Sequence, residues 1–407
     1  MCSSLPTATG GVTVGVKDAG YDDGDLFAVL AALPDPRRSG GRRHPTGYVL
    51  AVLVASTASA GFESLAASAQ WAKAAGREML LALGAAPDPL TGRVWPPSAA
   101  TLGRIAATVD IAALEKALAA WTASRLDRTP PGADRLAVAV DGKTVRGART
   151  ASRAAPHLLS AATHQAAVVL AQRQVPSKTN EIPMVTDLLA DLQTAGHDLG
   201  SMVFTLDALH TQHATATLLE QAGAGYVLTV KGNQPGLRTA IIDQLRAHPE
   251  PGRTSQLSRG HGRTEQRTLR VVPADTIVFP GARQIFQIVR YTGGLDGQRT
   301  RKEVVHGITN LSPTDAGPAA LAALVRGHWS IENSVHWVRD VTYREDAGRA
   351  RTGNTPAVLA ALRNVVTSAL RLAGALNIAA ARRAVTLNPR AIIQLLSRMT
   401  KPDKSPL

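Results

Sequence analysis

Leu136-Ala-Val-Ala-Val140 runs straight into Asp141, and Met202-Val-Phe-Thr-Leu206 runs straight into Asp207. Short apolar runs bounded by turn-forming residues are buried strands. An acid at the end of each strand puts two carboxylates at a sheet edge, where side chains converge on a cleft. A third acid comes much later: Glu332 in His328-Trp-Ser-Ile-Glu-Asn333, on a stretch with helical periodicity. Carboxylates from separate elements can hold two hard cations, and these activate a nucleophilic oxygen and stabilise a leaving one in phosphodiester cleavage. Either aspartate alone also fits an ordinary strand-to-turn junction, because Asp-Gly at 141–142 is a common turn pair.

Charge points the same way. The 407 residues carry a formal net charge of +14, which suits a polyanionic partner such as nucleic acid. Aromatics make up only 4% of the chain, so small aliphatics must carry the core. The only cysteine is Cys2, which excludes a disulfide framework and a Cys-based zinc site and fits a reducing cytosol. The N-terminus shows no basic stretch followed by an apolar core, so no signal peptide is expected. The longest apolar run, Tyr48 to Ala60, contains Ser and Thr and is too short for a membrane span.

Outward from the two strands, the chain divides by pattern. Residues 1–24 are rich in Gly, Ser and Asp and read as a flexible N-terminus. Residues 25–127 read as all helical: one helix over Leu26–Leu33, stopped at Pro34-Asp-Pro36, and others from Thr46, about Glu63 and Ser98, the last with Ser98 as N-cap. Arg128-Thr-Pro-Pro-Gly-Ala133 is the clearest linker. Strands are then expected at 135–140, 156–163, 166–173, 201–206 and 225–230, and helices at 181–194, 211–222 and 235–247. A β-rich stretch follows over 264–309, and helices return at 319–340, 354–373 and 389–399.

On a regular helix over 328–340, His328, Glu332, His336 and Arg339 form one polar stripe opposite Ile331, Val335 and Val338. That stripe suits a metal ligand beside phosphate-contacting groups, or a solvated face with an ordinary Glu–Arg pair. Trp329 and Trp337 argue against full exposure. Basic loops add candidate phosphate contacts: Lys143 and Arg146 after the first aspartate, Lys231 and Asn233 after a strand, and Arg263 in Gly260-His-Gly-Arg263. Gly142-Lys-Thr144 is not a nucleotide-binding P-loop, because the preceding glycine spacing is absent. His210 and His213 could suggest zinc, but no His-Glu-x-x-His is present. His210 and Gln212 are better read as groups that orient the neighbouring carboxylate or a water.

Six ordered segments carry a family resemblance: Asp141-Gly-Lys-Thr-Val-Arg-Gly147, Lys178-Thr-Asn-Glu-Ile-Pro183, Thr205-Leu-Asp-Ala-Leu-His-Thr-Gln212, Val230-Lys-Gly-Asn-Gln234, Gly260-His-Gly-Arg-Thr-Glu265 and Arg326-Gly-His-Trp-Ser-Ile-Glu-Asn-Ser-Val-His-Trp337. Together with Arg344-Glu-Asp346 and Arg363-Asn364, they resemble the bacterial insertion-sequence transposases of the H-repeat-associated type, over about residues 25 to 375. The resemblance implies an α/β fold: an RNase H-like catalytic core at 134–375 with a β-rich insertion at about 250–312, after a helical domain at 25–127 and before a helical tail at 376–407.

The resemblance further implies that Asp141, Asp207 and Glu332 hold two Mg²⁺ or Mn²⁺ ions. It implies cleavage at element ends by water, then attack of the freed 3′-hydroxyl on target DNA. The expected DNA contacts are Lys143, Arg146, Lys231, Asn233, Arg263, Arg326, His328, His336 and Arg339, with Arg37, Arg38, Arg42 and Arg43 meeting phosphates from the helical domain. Related enzymes carry a Tyr, an Arg and a Lys around the glutamate where this chain has Val325, His328 and Arg339. A homodimer or larger synaptic complex and a cytoplasmic, nucleoid-associated location are expected. A nuclease of the same fold that cuts without joining, and an inactive DNA-binding remnant, remain alternatives.

Overall fold

The computed structural model describes residues 25–35, 37, 42–126, 135–176, 181–260, 262–295 and 299–397. The expected flexible segment 1–24, Arg38, the linker at 128–133, Lys178 to Asn180, His261 and the tail from 398 onward lie outside them. Helices open the described chain: α1 (Leu26–Ala31), α2 (Thr46–Ala58), α3 (Leu65–Ala74), α4 (Gly76–Ala82), α5 (Ala99–Thr108) and α6 (Ile111–Ala123). Side-chain oxygens cap several of them, as residues of these types do at helix starts. Asp25 accepts from the Phe27 N–H, Ser64 from Ala67, Ser98 from Thr101 and Asp110 from Ala112 and Ala113. Every residue of α2 is buried, so this helix is the centre of the layer rather than a surface element. Its Ser56 hydroxyl is satisfied inside the core by Ser68, 2.9 Å away.

The chain then builds a nine-stranded sheet from β1 (Leu136–Thr144), β2 (His157–Thr163), β3 (Val169–Val175), β4 (Met202–Leu206), β5 (Gly225–Val230), β6 (Gly252–Gly260), β7 (Arg263–Pro273), β8 (Gln284–Gly294) and β9 (Arg299–Thr309), in the order β3-β2-β1-β4-β5-β9-β8-β7-β6. β1, β2 and β3 form an antiparallel meander, and β4 and β5 lie parallel to β1. Parallel neighbours need a crossover. Here the connections run through α7 (Met184–Thr194) and α8 (His213–Gln221). After α9 (Pro235–Ala247), the four strands β6–β9 extend the same sheet antiparallel from β5.

Alternation sorts the side chains of β1 onto two faces. Val138 and Val140 pack with Leu159 and with Val185 and Leu188 of α7. Ala139 faces the other way, with Ala162, Ile331 and Val335. That second face is covered by α10 (Pro318–His328) and the helical segment after it.

Three last helices, α11 (Thr355–Leu372), α12 (Ile378–Leu387) and α13 (Arg390–Leu396), return to α1–α6 and share one hydrophobic core with them. Arg382 on α12 is fully buried. Its guanidinium donates to the carbonyls of Thr57, Ser59 and Thr342 and lies 4.4 Å from the Tyr343 ring centroid. Through residue 396, the stretch read from sequence as a separate tail is therefore part of the helical layer. Among the described residues, no helix is long and apolar enough to cross a membrane.

Candidate active site

β1 does not stop at Asp141. It continues through Gly142 and Lys143 to Thr144, which pairs with His157 of β2. Asp-Gly at 141–142 is thus strand rather than turn. Glycine inside a strand marks a close approach by another group, and here that group is a carboxylate: a Cβ on residue 142 would collide with Glu181 Oε2 and His157 Nε2.

The parallel register places Val140 beside Leu206, so Asp141 and Asp207 follow on neighbouring strands. By alternation both belong to the face of Ala139 and Thr205, towards α10. Asp207 is held by its own turn, with Oδ1 accepting from the N–H of Leu209 at 2.9 Å and of His210 at 3.4 Å.

Glu332 enters on an irregular helix. After α10 the backbone widens into π-helical turns over Glu332–His336 and Val338–Thr342, and the Trp337 N–H donates to the Glu332 carbonyl. Such widening is common at functional positions and shifts every later side chain around the axis. The expected polar stripe is broken as a result. Glu332 is exposed, while His336 and Arg339 are buried. Trp329 and Trp337, expected to be partly covered, are 53% and 55% exposed. Arg371 of α11 donates to the Ser334 carbonyl at 2.8 Å and ties the widened turn to the helical layer.

Burial pushes the Asp141 carboxyl up to about 7, against a hydrogen bond from the Gly142 N–H that pulls it down. Repulsion from Asp207, Glu332 and Glu181 adds to the rise. The same side chain lies 3.5 Å from His336 Nδ1. His336 is no counter-ion: burial, then Arg339 and Lys143, drive its pKa down to about 3, so it is neutral at pH 7. The site presents several carboxylates from separate elements with their charge unbalanced, a donor set that fits hard divalent cations. Among the described residues no three His, Cys, Asp or Glu side chains are drawn together into a finished cage.

The remaining sequence candidates divide by burial. Lys143 is 8% exposed, and its ammonium sits 2.6 Å from Asp340 Oδ2. Arg339, 1% exposed, donates to Glu345 at 2.7 Å, and Arg363 donates to the other oxygen of the same carboxylate at 2.9 Å. Both expected DNA contacts are thus internal ion pairs that hold the Glu332 segment against β1 and α11. His336 is likewise internal.

Arg146, Lys231, Arg263 and Arg326 are exposed. Asn233 is exposed as well, and its amide donates to the Ala208 carbonyl, supporting the Asp207 turn. Gln212 donates to the Leu209 carbonyl, so it holds the backbone of that turn rather than a carboxylate. His328 Nδ1 lies 3.1 Å from the Thr205 hydroxyl, which also meets His164 Nε2 at 2.8 Å. His210 is buried beside Glu181, at 3.9 Å. In the helical layer, Arg37 pairs with Asp35 at 2.7 Å and Arg42 donates to the Arg37 carbonyl. Arg43 stacks on Trp95.

Several residues of the site carry no mark in the strand pattern. Glu181 lies inside Lys178-Thr-Asn-Glu-Ile-Pro183, a matched segment whose chemical role the pattern does not disclose. Asp340 and Glu345 act by neutralising Lys143, Arg339 and Arg363, and only the folded chain pairs them. Gly327 is required by close packing, since a Cβ there would collide with the His164 ring.

Two parallel strands thus carry Asp141 and Asp207 just after paired apolar residues, and Glu332 lies on the helical segment over the same face. The chain belongs to the family described as transposase DDE domain, whose model matches residues 132–367, and a second model, described as DDE_Tnp_1-associated, matches 27–122. It is 28% identical over 366 residues to "Putative transposase YncI" of Escherichia coli O157:H7, covering 85% of this chain and 87% of that one. It is also 28% identical over 249 residues to "H repeat-associated putative transposase YhhI" of Escherichia coli strain K12, covering 58% of this chain and 64% of YhhI. Among solved structures, the piggyBac transposase synaptic complex with hairpin DNA aligns with a TM-score of 0.42 at 10% identity, over 94% of this chain and 80% of that one. DDE transposases generally use divalent metal ions.

Proposed function

We propose that this chain is a DNA transposase that cuts at insertion-sequence ends and joins the freed 3′ ends to target DNA, with Asp141, Asp207 and Glu332 holding two Mg²⁺ or Mn²⁺ ions. The observation that supports it is the β1–β4 register, in which Val140 pairs with Leu206, the residues directly before Asp141 and Asp207, together with the repulsion that Asp207 and Glu332 exert on Asp141. The strand order, an antiparallel meander followed by two strands parallel to β1, supports an RNase H-like core. The proposed bounds of that core are 134–375, with the insertion at about 250–312.

When bound, the cations supply activation of the attacking oxygen and charge stabilisation on the leaving one. The chain's own residues supply placement. The Leu209 and His210 N–H groups fix the Asp207 carboxylate. Lys143–Asp340 and Arg339–Glu345–Arg363 anchor the segment that carries Glu332. Arg146, Lys231, Arg263 and Arg326 are the exposed cations proposed to meet phosphates, and the exposed Trp329 and Trp337 flank the acid. Two element ends must be joined, so the working unit is proposed to be at least a dimer, acting on DNA in the nucleoid.

The experiment is joining. Precut and intact end DNA from the chain's own element are each incubated with a target plasmid and Mg²⁺. Linked products that require Asp141 support a transposase. Cutting of intact ends without joining points to a nuclease of the same fold, and end binding without either reaction points to an inactive remnant.

A further inference from the structure

Glu181 stands just before α7, against the side of β1 to which Gly142, next to Asp141, points by alternation. The chain makes room for it. Gly142, next to Asp141, is the position where any side chain would strike Glu181 Oε2. That oxygen lies 2.8 Å from His157 Nε2, and the Thr144 hydroxyl holds the other ring nitrogen of His157 at 2.9 Å. A second imidazole is aimed at the same oxygen: His210 Nε2 is 3.9 Å away, its side chain is 1% exposed, and neither ring nitrogen has a hydrogen-bond partner among the protein atoms. A buried ring with two unpartnered nitrogens is costly. The strand gap at Gly142, the Thr144–His157 brace and the unpartnered His210 converge on one carboxylate from three elements.

His210 closes the turn that Asp207 caps, so the group facing Glu181 belongs to the loop that presents a proposed metal ligand. Glu181 also adds its charge to the field at Asp141.

We infer that Glu181 is a fourth carboxylate acting on the catalytic centre: a positioning residue seated over Gly142 that adds the negative charge that draws a divalent cation to Asp141 and Asp207. The inference rests on the metal-dependent reading above. Glu181 works through its charge and its seat over Gly142, without touching the scissile DNA.

The test is Mn²⁺ binding to the full chain, read from the electron paramagnetic resonance signal of the free ion, with wild type, Glu181→Gln, Glu181→Asp and Asp207→Ala. Glu181→Gln keeps the shape and loses the charge, and it is expected to weaken binding about tenfold, the scale of one unit charge acting on a dication across a partly buried edge. Glu181→Asp keeps the charge and stays within about threefold of wild type. A merely structural role would lower the melting temperature of both variants and leave the affinity of the folded protein unchanged.

Wild-type affinity in Glu181→Gln, with binding lost in Asp207→Ala, overturns the inference and leaves the metal reading standing. Equal binding by wild type and Asp207→Ala overturns both. Should Glu181→Gln fail to fold, Gly142→Ala takes its place: it displaces the carboxylate without removing it, and unchanged Mn²⁺ affinity there overturns the inference.

Discussion

Gly147 lies so close to Asp346 that a methyl group on it would sit 2.7 Å from the Asp346 carbonyl oxygen. Two more links join the segments: the Arg146 N–H donates to Asp346 Oδ1 at 3.1 Å, and Arg351 donates to the Gly147 carbonyl at 3.0 Å. The turn that follows β1 is thereby docked on the loop that follows Glu332. Gly147→Ala forces two backbones apart and is expected to cost about 1–3 kcal/mol, as overpacking does. A lower denaturation midpoint than for Arg146→Ala, whose side chain is exposed, is the expected result.

Glu345 is buried between Arg339 and Arg363. Burial alone would raise its pKa, but the two guanidiniums outweigh it and hold it at about 2. A carboxylate lowered on folding stabilises the folded state above its unfolded pKa, and that contribution is lost as pH falls through the folded value. The window therefore runs from 4.5, the unperturbed value, down to about 2. Glu345→Gln leaves two buried cations uncompensated and is expected to cost about 3–5 kcal/mol at pH 7. Urea denaturation at pH 7 and pH 3 should show that cost shrinking in acid.

Asp141 runs the other way. Its folded pKa of about 7 lies above the ordinary 3.8, so the folded state binds more protons across that interval and loses stability as pH rises through it. In the presence of a chelator, Asp141→Asn is expected to stabilise the protein by about 1–3 kcal/mol at pH 8 and to have little effect at pH 4. Equal effects at the two pH values would show that the carboxyl titrates normally.

Surface and internal cations should separate in DNA binding. Replacing Arg326 or Arg263 by Ala is expected to reduce the salt dependence of binding by about one phosphate contact each, with melting unchanged. Lys143→Ala and Arg339→Ala are expected to lower the melting temperature instead, through the loss of their pairs with Asp340 and Glu345. Titration of labelled end DNA at several salt concentrations, alongside thermal melts, distinguishes the two groups.

The short apolar runs Leu136–Val140 and Met202–Leu206 made both strands readable, because a buried strand is written locally in such a run. The nearness of Asp141 and Asp207 follows from each coming directly after one of these runs, whose register pairs Val140 with Leu206. The continuation of β1 past Asp141 was hidden, since Asp-Gly favours a turn unless something outside the segment overrides it, and Glu181 and His157 do so. The π-helical turns were hidden as well: the periodicity of 328–340 assumes regular turns, and the wider ones accompany long-range contacts of Arg339 with Glu345 and of Arg371 with Ser334. The inward positions of Lys143 and Arg339 depend on partners that only the tertiary fold delivers. α12 and α13 looked like a tail because their apolar residues do not announce which core they join, whereas Arg382 reaches the carbonyls that close α2.

The most direct measurement of the central claim is cleavage of a supercoiled plasmid carrying the element's ends, with Mg²⁺, by wild type and by Asp207→Ala. The account predicts metal-dependent nicking at the ends by wild type and none by the variant. Nicking of equal rate by both proteins, or end binding by both without any cleavage, would contradict it.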